Sequence, residues 1–142
     1  MAAPQIRHLL FDLGGTLMHA HDNWVPILDA ADHNLSVKLR EYDITLEGHI
    51  FRARLQQYYH QRDKDLQETR YHFVLRELLT ELGYAEIAES VLRSALDAMY
   101  SVTQKNWVLE DDALDTIQKL RSQNYQLGIF SNAGDDQDVQ EL

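Results

Sequence analysis

Two short apolar runs, one near each end of the chain, stop at a polar side chain, and almost everything between them has helical spacing. The first is Ile6-Arg7-His8-Leu9-Leu10-Phe11-Asp12, and it breaks into Gly14-Gly15. The second is Tyr125-Gln126-Leu127-Gly128-Ile129-Phe130-Ser131, followed by the turn signal Asn132-Ala133-Gly134. Compact apolar runs bounded by glycines read as buried strands. A right-handed crossover between two parallel strands brings their carboxyl ends to one edge of a sheet. Asp12 and Ser131 are therefore expected side by side, where open α/β folds place their chemistry.

The intervening residues divide into four expected helices and a fifth before the second strand. The first covers 23–41, with Leu28, Ala31, Leu35, Leu39 and Tyr42 inward and Pro26 in its first turn. The second runs from an N-cap at Thr45 to about 63, with Ile50, Phe51, Leu55, Tyr58 and Tyr59 on one face. A capping-box pattern, Asp65 and Glu68, opens the third, which turns Leu75, Leu78, Leu79 and Leu82 inward and stops at Gly83. The fourth spans 85–104 on Ile87, Val91, Ala95, Met99 and Val102. Glu110-Asp111-Asp112 begins the fifth, which buries Leu114, Ile117 and Leu120. The order gives an α/β chain with two parallel core strands and an inserted four-helix block. The expected domains are 1–18 with 106–142, and 19–105. Asp135-Asp136 reads as the cap of one more helix.

Composition narrows the function. Thirteen basic and twenty-three acidic side chains give a net charge of −10, with no basic patch, which argues against nucleic acid and anionic membranes as partners. The absence of cysteine rules out disulfides and thiolate metal sites. No apolar stretch reaches the ~18 residues of a membrane span, and residues 1–5 lack a signal-peptide layout, so a cytoplasmic location is expected.

At the strand ends, Asp12 has the chemistry of a carboxylate nucleophile that forms an aspartyl ester, such as an aspartyl phosphate. Ser131 and the backbone N–H groups around Asn132 suit the oxygens of a transferring phosphoryl group. Gly14 and Gly15 let the backbone turn and approach a ligand, and the Thr16 hydroxyl is placed to support the loop.

Phe11-Asp12-Leu13-Gly14-Gly15-Thr16-Leu17 resembles the first motif of the haloacid dehalogenase-like (HAD) hydrolases, Asp-x-Asp-Gly-Thr followed by Leu or Val. Ile129-Phe130-Ser131-Asn132 resembles their second motif, and the helices between resemble the inserted cap of the haloacid dehalogenase and phosphoglycolate phosphatase subfamily. The resemblance implies a partial Rossmann-like HAD core and a small-molecule substrate. It makes Asp12 the nucleophile, Ser131 the phosphoryl or carboxylate binder and Thr16 the loop support, with Gly15 and Asn132 at the substrate. For a phosphatase it implies Mg²⁺ held by Asp12 and the Gly14 backbone carbonyl; for a metal-independent 2-haloacid dehalogenase it implies no cofactor.

Two departures qualify this. Gly14 stands where the family carries a second aspartate, a general acid and base worth about 10²–10⁴-fold. The family's later motifs, a Lys or Arg and an acidic pair, do not occur before Leu142, so the resemblance is to the front portion of a hydrolase. A Mg-dependent phosphatase is thus expected of the complete form, with a dehalogenase or a catalytically silent fragment or interaction module as alternatives. Lacking a neighbour, the Ile6–Phe11 edge is expected to pair elsewhere, in a homo-oligomer or strand-swapped dimer. His19 and His21 read as a solvated loop, and Tyr58-Tyr59-His60 and Tyr71-His72 as packing between helices. Trp24 fits either the site's mouth or a staple on the first helix.

Overall fold

The computed structural model describes residues 6–65, 69–84 and 86–132. In chain order the elements are β1 (His8–Phe11), β2 (Met18–Ala20), α1 (Trp24–Arg40), α2 (Gly48–Asp65), α3 (Tyr71–Glu81) and α4 (Glu89–Thr103). A 3-10 turn (Gln104–Asn106) then leads to β3 (Trp107–Leu109), α5 (Ala113–Ser122) and β4 (Gln126–Ile129). They form two compact units, residues 6–21 with 107–132, and residues 22–106. No helix among the described residues is long and apolar enough to cross a membrane.

In the strand unit, β1 and β4 pair in parallel, with His8 opposite Gln126 and Phe11 opposite Ile129. The pairing continues past the named strands, since Gln126 N–H donates to the Arg7 carbonyl and Phe130 N–H to that of Phe11, both at 2.8 Å. An antiparallel pair, β2 with β3, sets Met18 opposite Leu109 and Ala20 opposite Trp107. Periodicity does not signal this pair, because three residues are too few to show alternation. Leu17, Met18 and Ala113 are buried here, with Phe11, Leu13, Trp107 and Ile117 packed on them.

The expectation of fully buried strands is corrected. Leu10 is 71% exposed and Phe130 75% exposed, because side chains alternate across a sheet and both lie on the face that no element among the described residues covers. Leu114, expected inward on α5, is 56% exposed, while Ala113 is the buried residue of that helix.

The helical unit has a continuous core. Leu35, Leu39, Phe51, Val74, Leu75, Leu79, Leu92 and Leu96 lose essentially all contact with solvent. Asn23 caps α1, its side-chain oxygen accepting from Val25 N–H at 2.9 Å. α2 begins three residues later than Thr45, whose N–H instead donates to the Tyr84 hydroxyl at 2.9 Å. The N-terminal N–H of α2, that of Gly48, donates to the buried Ser36 hydroxyl at 2.7 Å, and that hydroxyl donates to the Asp32 carbonyl at 2.9 Å. Backbones approach so closely here that a Cβ on Gly48 would collide with the Asp32 main chain.

Several helix ends differ from expectation. Asp65 closes α2 rather than capping α3, which starts at Tyr71; Glu68 and the Asp135-Asp136 pair lie outside the described residues. The fourth helix starts at Glu89 rather than 85. Tyr42 and Leu82 fall beyond the ends of their helices and are exposed, as is Ile50 in the first turn of α2. Gly83 follows α3 with φ +93°, the left-handed conformation of a helix-terminating glycine.

Aromatic residues tie the helices together. Tyr59 and Phe51 both meet the Tyr71 ring edge-on, at centroid distances of 6.3 and 6.4 Å, and the Tyr59 and Tyr71 hydroxyls are bonded. His72 is buried and stacks on Phe73 at 4.1 Å. Arg54 makes a bidentate pair with Glu81 at 3.0 and 2.6 Å, and Arg52 bridges Asp29 and Asp32 at 2.8 and 3.1 Å. Burial pushes the Asp32 carboxyl above its ordinary range, partly offset by Arg52. The unit closes on itself at its termini: the Asn106 side chain accepts from Asp22 N–H at 2.8 Å and donates to the Asp22 carbonyl at 3.2 Å.

Candidate active site

The strand unit builds its site from the loop that leaves β1. Leu13 turns the chain by accepting three backbone N–H groups on one carbonyl, from Thr16, Leu17 and Met18 at 3.2, 2.9 and 3.0 Å. Gly15 takes φ +72°, a left-handed conformation that favours glycine, and its N–H donates to the Met18 carbonyl at 2.7 Å. These backbone bonds fix the loop. The Thr16 hydroxyl has no hydrogen bond among the described residues.

The parallel register carries Ser131 to Asp12 across 119 positions of sequence. Ser131 Oγ–H donates to Asp12 Oδ1 at 2.6 Å, and Leu13 N–H donates to the same oxygen at 2.7 Å. Both donors converge on Oδ1, leaving Oδ2 without a hydrogen-bond partner among the described residues. Such a carboxylate is fixed in orientation by one oxygen and open to an electrophile at the other. Asn132 follows Ser131 and is exposed.

The Gly14 carbonyl also has no hydrogen-bond partner among the described residues. Together with Asp12 Oδ2 it supplies one charged and one neutral oxygen, the donor type Mg²⁺ prefers in sites that keep several waters. No group of three or more His, Asp or Glu side chains able to hold a metal occurs among the described residues.

Gly14 differs from Gly15 in a way the sequence did not reveal. Its φ is not left-handed, so the backbone does not require glycine, but a Cβ there would lie 3.3 Å from the ring of Trp107. His19, on β2, is paired through Nδ1 with Glu110 at 3.0 Å, and His21 is exposed. Trp24 is the first residue of α1.

No curated protein matches the chain. Among solved structures it is similar to a predicted phosphoglycolate phosphatase from Haemophilus somnus 129PT, with 14% identity and a TM-score of 0.41. The alignment covers 92% of this chain and 53% of that one, so the chain spans about half the length of that protein. The family model of haloacid dehalogenase-like hydrolases matches residues 6–141, from the strand before Asp12 to beyond Ser131. The chain belongs to the haloacid dehalogenase-like hydrolases.

Proposed function

We propose that Asp12 is the nucleophile of a phosphatase acting on a small phosphate ester through an aspartyl phosphate. The observation that carries this reading is the convergence of Leu13 N–H and Ser131 Oγ–H on Asp12 Oδ1, with Oδ2 left open. Two hydrogen bonds to one oxygen fix the orientation of the carboxylate and leave the other oxygen free to act as the nucleophile. Asp12 Oδ2 attacks phosphorus, the bond to the leaving oxygen breaks, and water then cleaves the aspartyl phosphate at phosphorus to restore the carboxylate.

Ser131 has a single hydroxyl proton and spends it on Asp12 here, so holding a phosphoryl oxygen requires the hydroxyl to turn from Oδ1 toward the substrate. Gly15 and Asn132 would flank that position, Gly15 leaving room there because it carries no side chain while its N–H is held by the Met18 carbonyl. Mg²⁺ would be held by Asp12 and the Gly14 carbonyl, and when bound there it neutralises charge on the transferring group. The setting is a cytoplasmic one, with a small molecule rather than a nucleic acid or membrane as partner. The exposed apolar side chains of β1 and β4 support self-association, which sedimentation equilibrium tests.

A second reading, a metal-independent 2-haloacid dehalogenase, is favoured by Gly14, because halide departs without a proton. Hydrolysis of 4-nitrophenyl phosphate that needs Mg²⁺ and is lost in Asp12→Asn supports the phosphatase. Metal-independent chloride release from 2-chloropropionate supports the dehalogenase. A folded protein that does neither is a silent module.

A further inference from the structure

The segments that leave α1 and α3 meet within the helical unit, where Thr45 N–H donates to the Tyr84 hydroxyl. Both helices end in the same pattern. After α1, Ile44 N–H returns to the Leu39 carbonyl and Asp43 N–H to that of Arg40, each at 3.1 Å. After α3, Tyr84 N–H returns to Leu79 and Gly83 N–H to Thr80, each at 3.0 Å. This paired return needs one left-handed residue, supplied by Asp43 at φ +58° and by Gly83 at φ +93°. The two ends bring Tyr42, Asp43 and Ile44 to one groove with Tyr84, Glu86 and Ile87. Its volume is about 490 Å³, within the range of small-ligand sites.

The groove has an apolar floor, two phenol rings and two carboxylates, and no basic side chain lines it among the described residues. Ile44 is buried, whereas Tyr42 is exposed and offers its ring to solvent. Neither Asp43 nor Glu86 has a side-chain hydrogen bond or ion pair among the described residues. The neighbouring bases are engaged elsewhere. Lys38 pairs with Glu41 at 2.7 Å and Arg40 with Glu47 at 2.5 Å. Arg76 donates to the Ile87 carbonyl at 3.3 Å and pairs with Glu89. The last turn of α3 carries no basic residue, so the negative end of its dipole adds to the field of the two acids.

We propose that this groove binds a small organic cation with an aliphatic stem, an alkyl diamine or polyamine. The stem covers Ile44 and Ile87, while the ammonium groups pair with Asp43 and Glu86 and with the face of Tyr42. A bare metal ion would leave the rings and the apolar floor unused, and the two carboxylates have no third ligand beside them. An anion would be repelled. The proposal does not depend on the role of Asp12.

Isothermal titration calorimetry of the full chain with cadaverine at physiological ionic strength tests it. Saturable one-to-one binding is expected, and none with the neutral diol of the same chain length. Asp43→Asn combined with Glu86→Gln is expected to weaken binding about tenfold, the loss of two exposed ion pairs. Asn suits the left-handed position as Asp does, so the turn is kept. Tyr42→Leu, a change at an exposed ring, is expected to weaken binding about two- to fivefold. Asp111→Asn combined with Asp112→Asn removes the same charge from exposed positions of the strand unit and is expected to leave the affinity unchanged. No saturable binding to the wild type, or equal affinity for the diol, overturns the proposal. Equal losses in the two acid-to-amide variants also overturn it, because the attraction would then be to the net charge of −10 as a whole.

Discussion

The two units bury their apolar residues very differently. The helical unit encloses a core from four helices, in which Leu35, Phe51, Leu75 and Leu96 are wholly removed from water. The strand unit buries Leu17, Met18 and Ala113, yet leaves Ile6, Leu10, Ile129 and Phe130 at 62% exposure or more. Parallel strands are ordinarily covered on both faces. The proposed nucleophile Asp12 therefore lies in the less consolidated unit, held in shape by register and loop hydrogen bonds, while most of the buried apolar residues lie in the other unit. Local stability is not expected to be uniform.

The chain's two tryptophans make that contrast measurable, since Trp24 belongs to the helical unit and Trp107 to the strand unit. Trp24→Phe and Trp107→Phe each leave one fluorophore to report on one unit. The largest effect is expected from Phe51→Ala, which empties the helical core at a cost of about 3–5 kcal/mol, read by far-UV circular dichroism in urea. An unchanged midpoint would break the comparison. Gly48→Ala comes next, at about 1–3 kcal/mol or somewhat more, because its Cβ meets main chain that cannot rotate away.

The Asp32 carboxyl gives a third, pH-dependent effect in the same unit. Unfolded, it ionises near 3.8; folded, burial raises it, with Asp29 adding to the rise and Arg52 and His49 opposing it. Between the two values the folded state binds more protons, so stability falls as pH rises through that window. Asp32→Asn is expected to flatten this fall in melts from about pH 3 to 7, and a slope identical to the wild type would refute the assignment. Leu10→Gln is expected to do least, within about 0.5 kcal/mol, since the side chain is already in water. A large loss there would mean that the sheet face is covered in solution, and would sharpen the contrast by supplying the missing cover.

Sequence periodicity located what depends on local spacing. Ala31, Leu35 and Leu39 do face the core at four-residue intervals, and the strand ends do bring Ser131 to Asp12. The pattern failed where the outcome depends on what lies opposite. Leu10 and Leu114 belong to correctly placed elements, but nothing in a single strand or helix tells which face its neighbours cover. The Asp65–Glu68 spacing had the form of a cap, yet α2 runs on to Asp65 and α3 begins only at Tyr71. At the site, the Trp107 ring would stand 3.3 Å from a Cβ at Gly14, a proximity of residues far apart in the chain, set by a three-residue strand, that no local signal encodes.

The Asn106–Asp22 clasp has a consequence for how such a chain is assembled. By bonding both the N–H and the carbonyl of Asp22, Asn106 brings together the points where the polypeptide leaves the strand unit and returns to it. A segment whose ends meet places little topological burden on its host, which experiences it much as it would a short loop. Residues 22–106 thus have the layout of an inserted cassette, whose length is expected to matter little to the strands that flank it because its two ends are already joined.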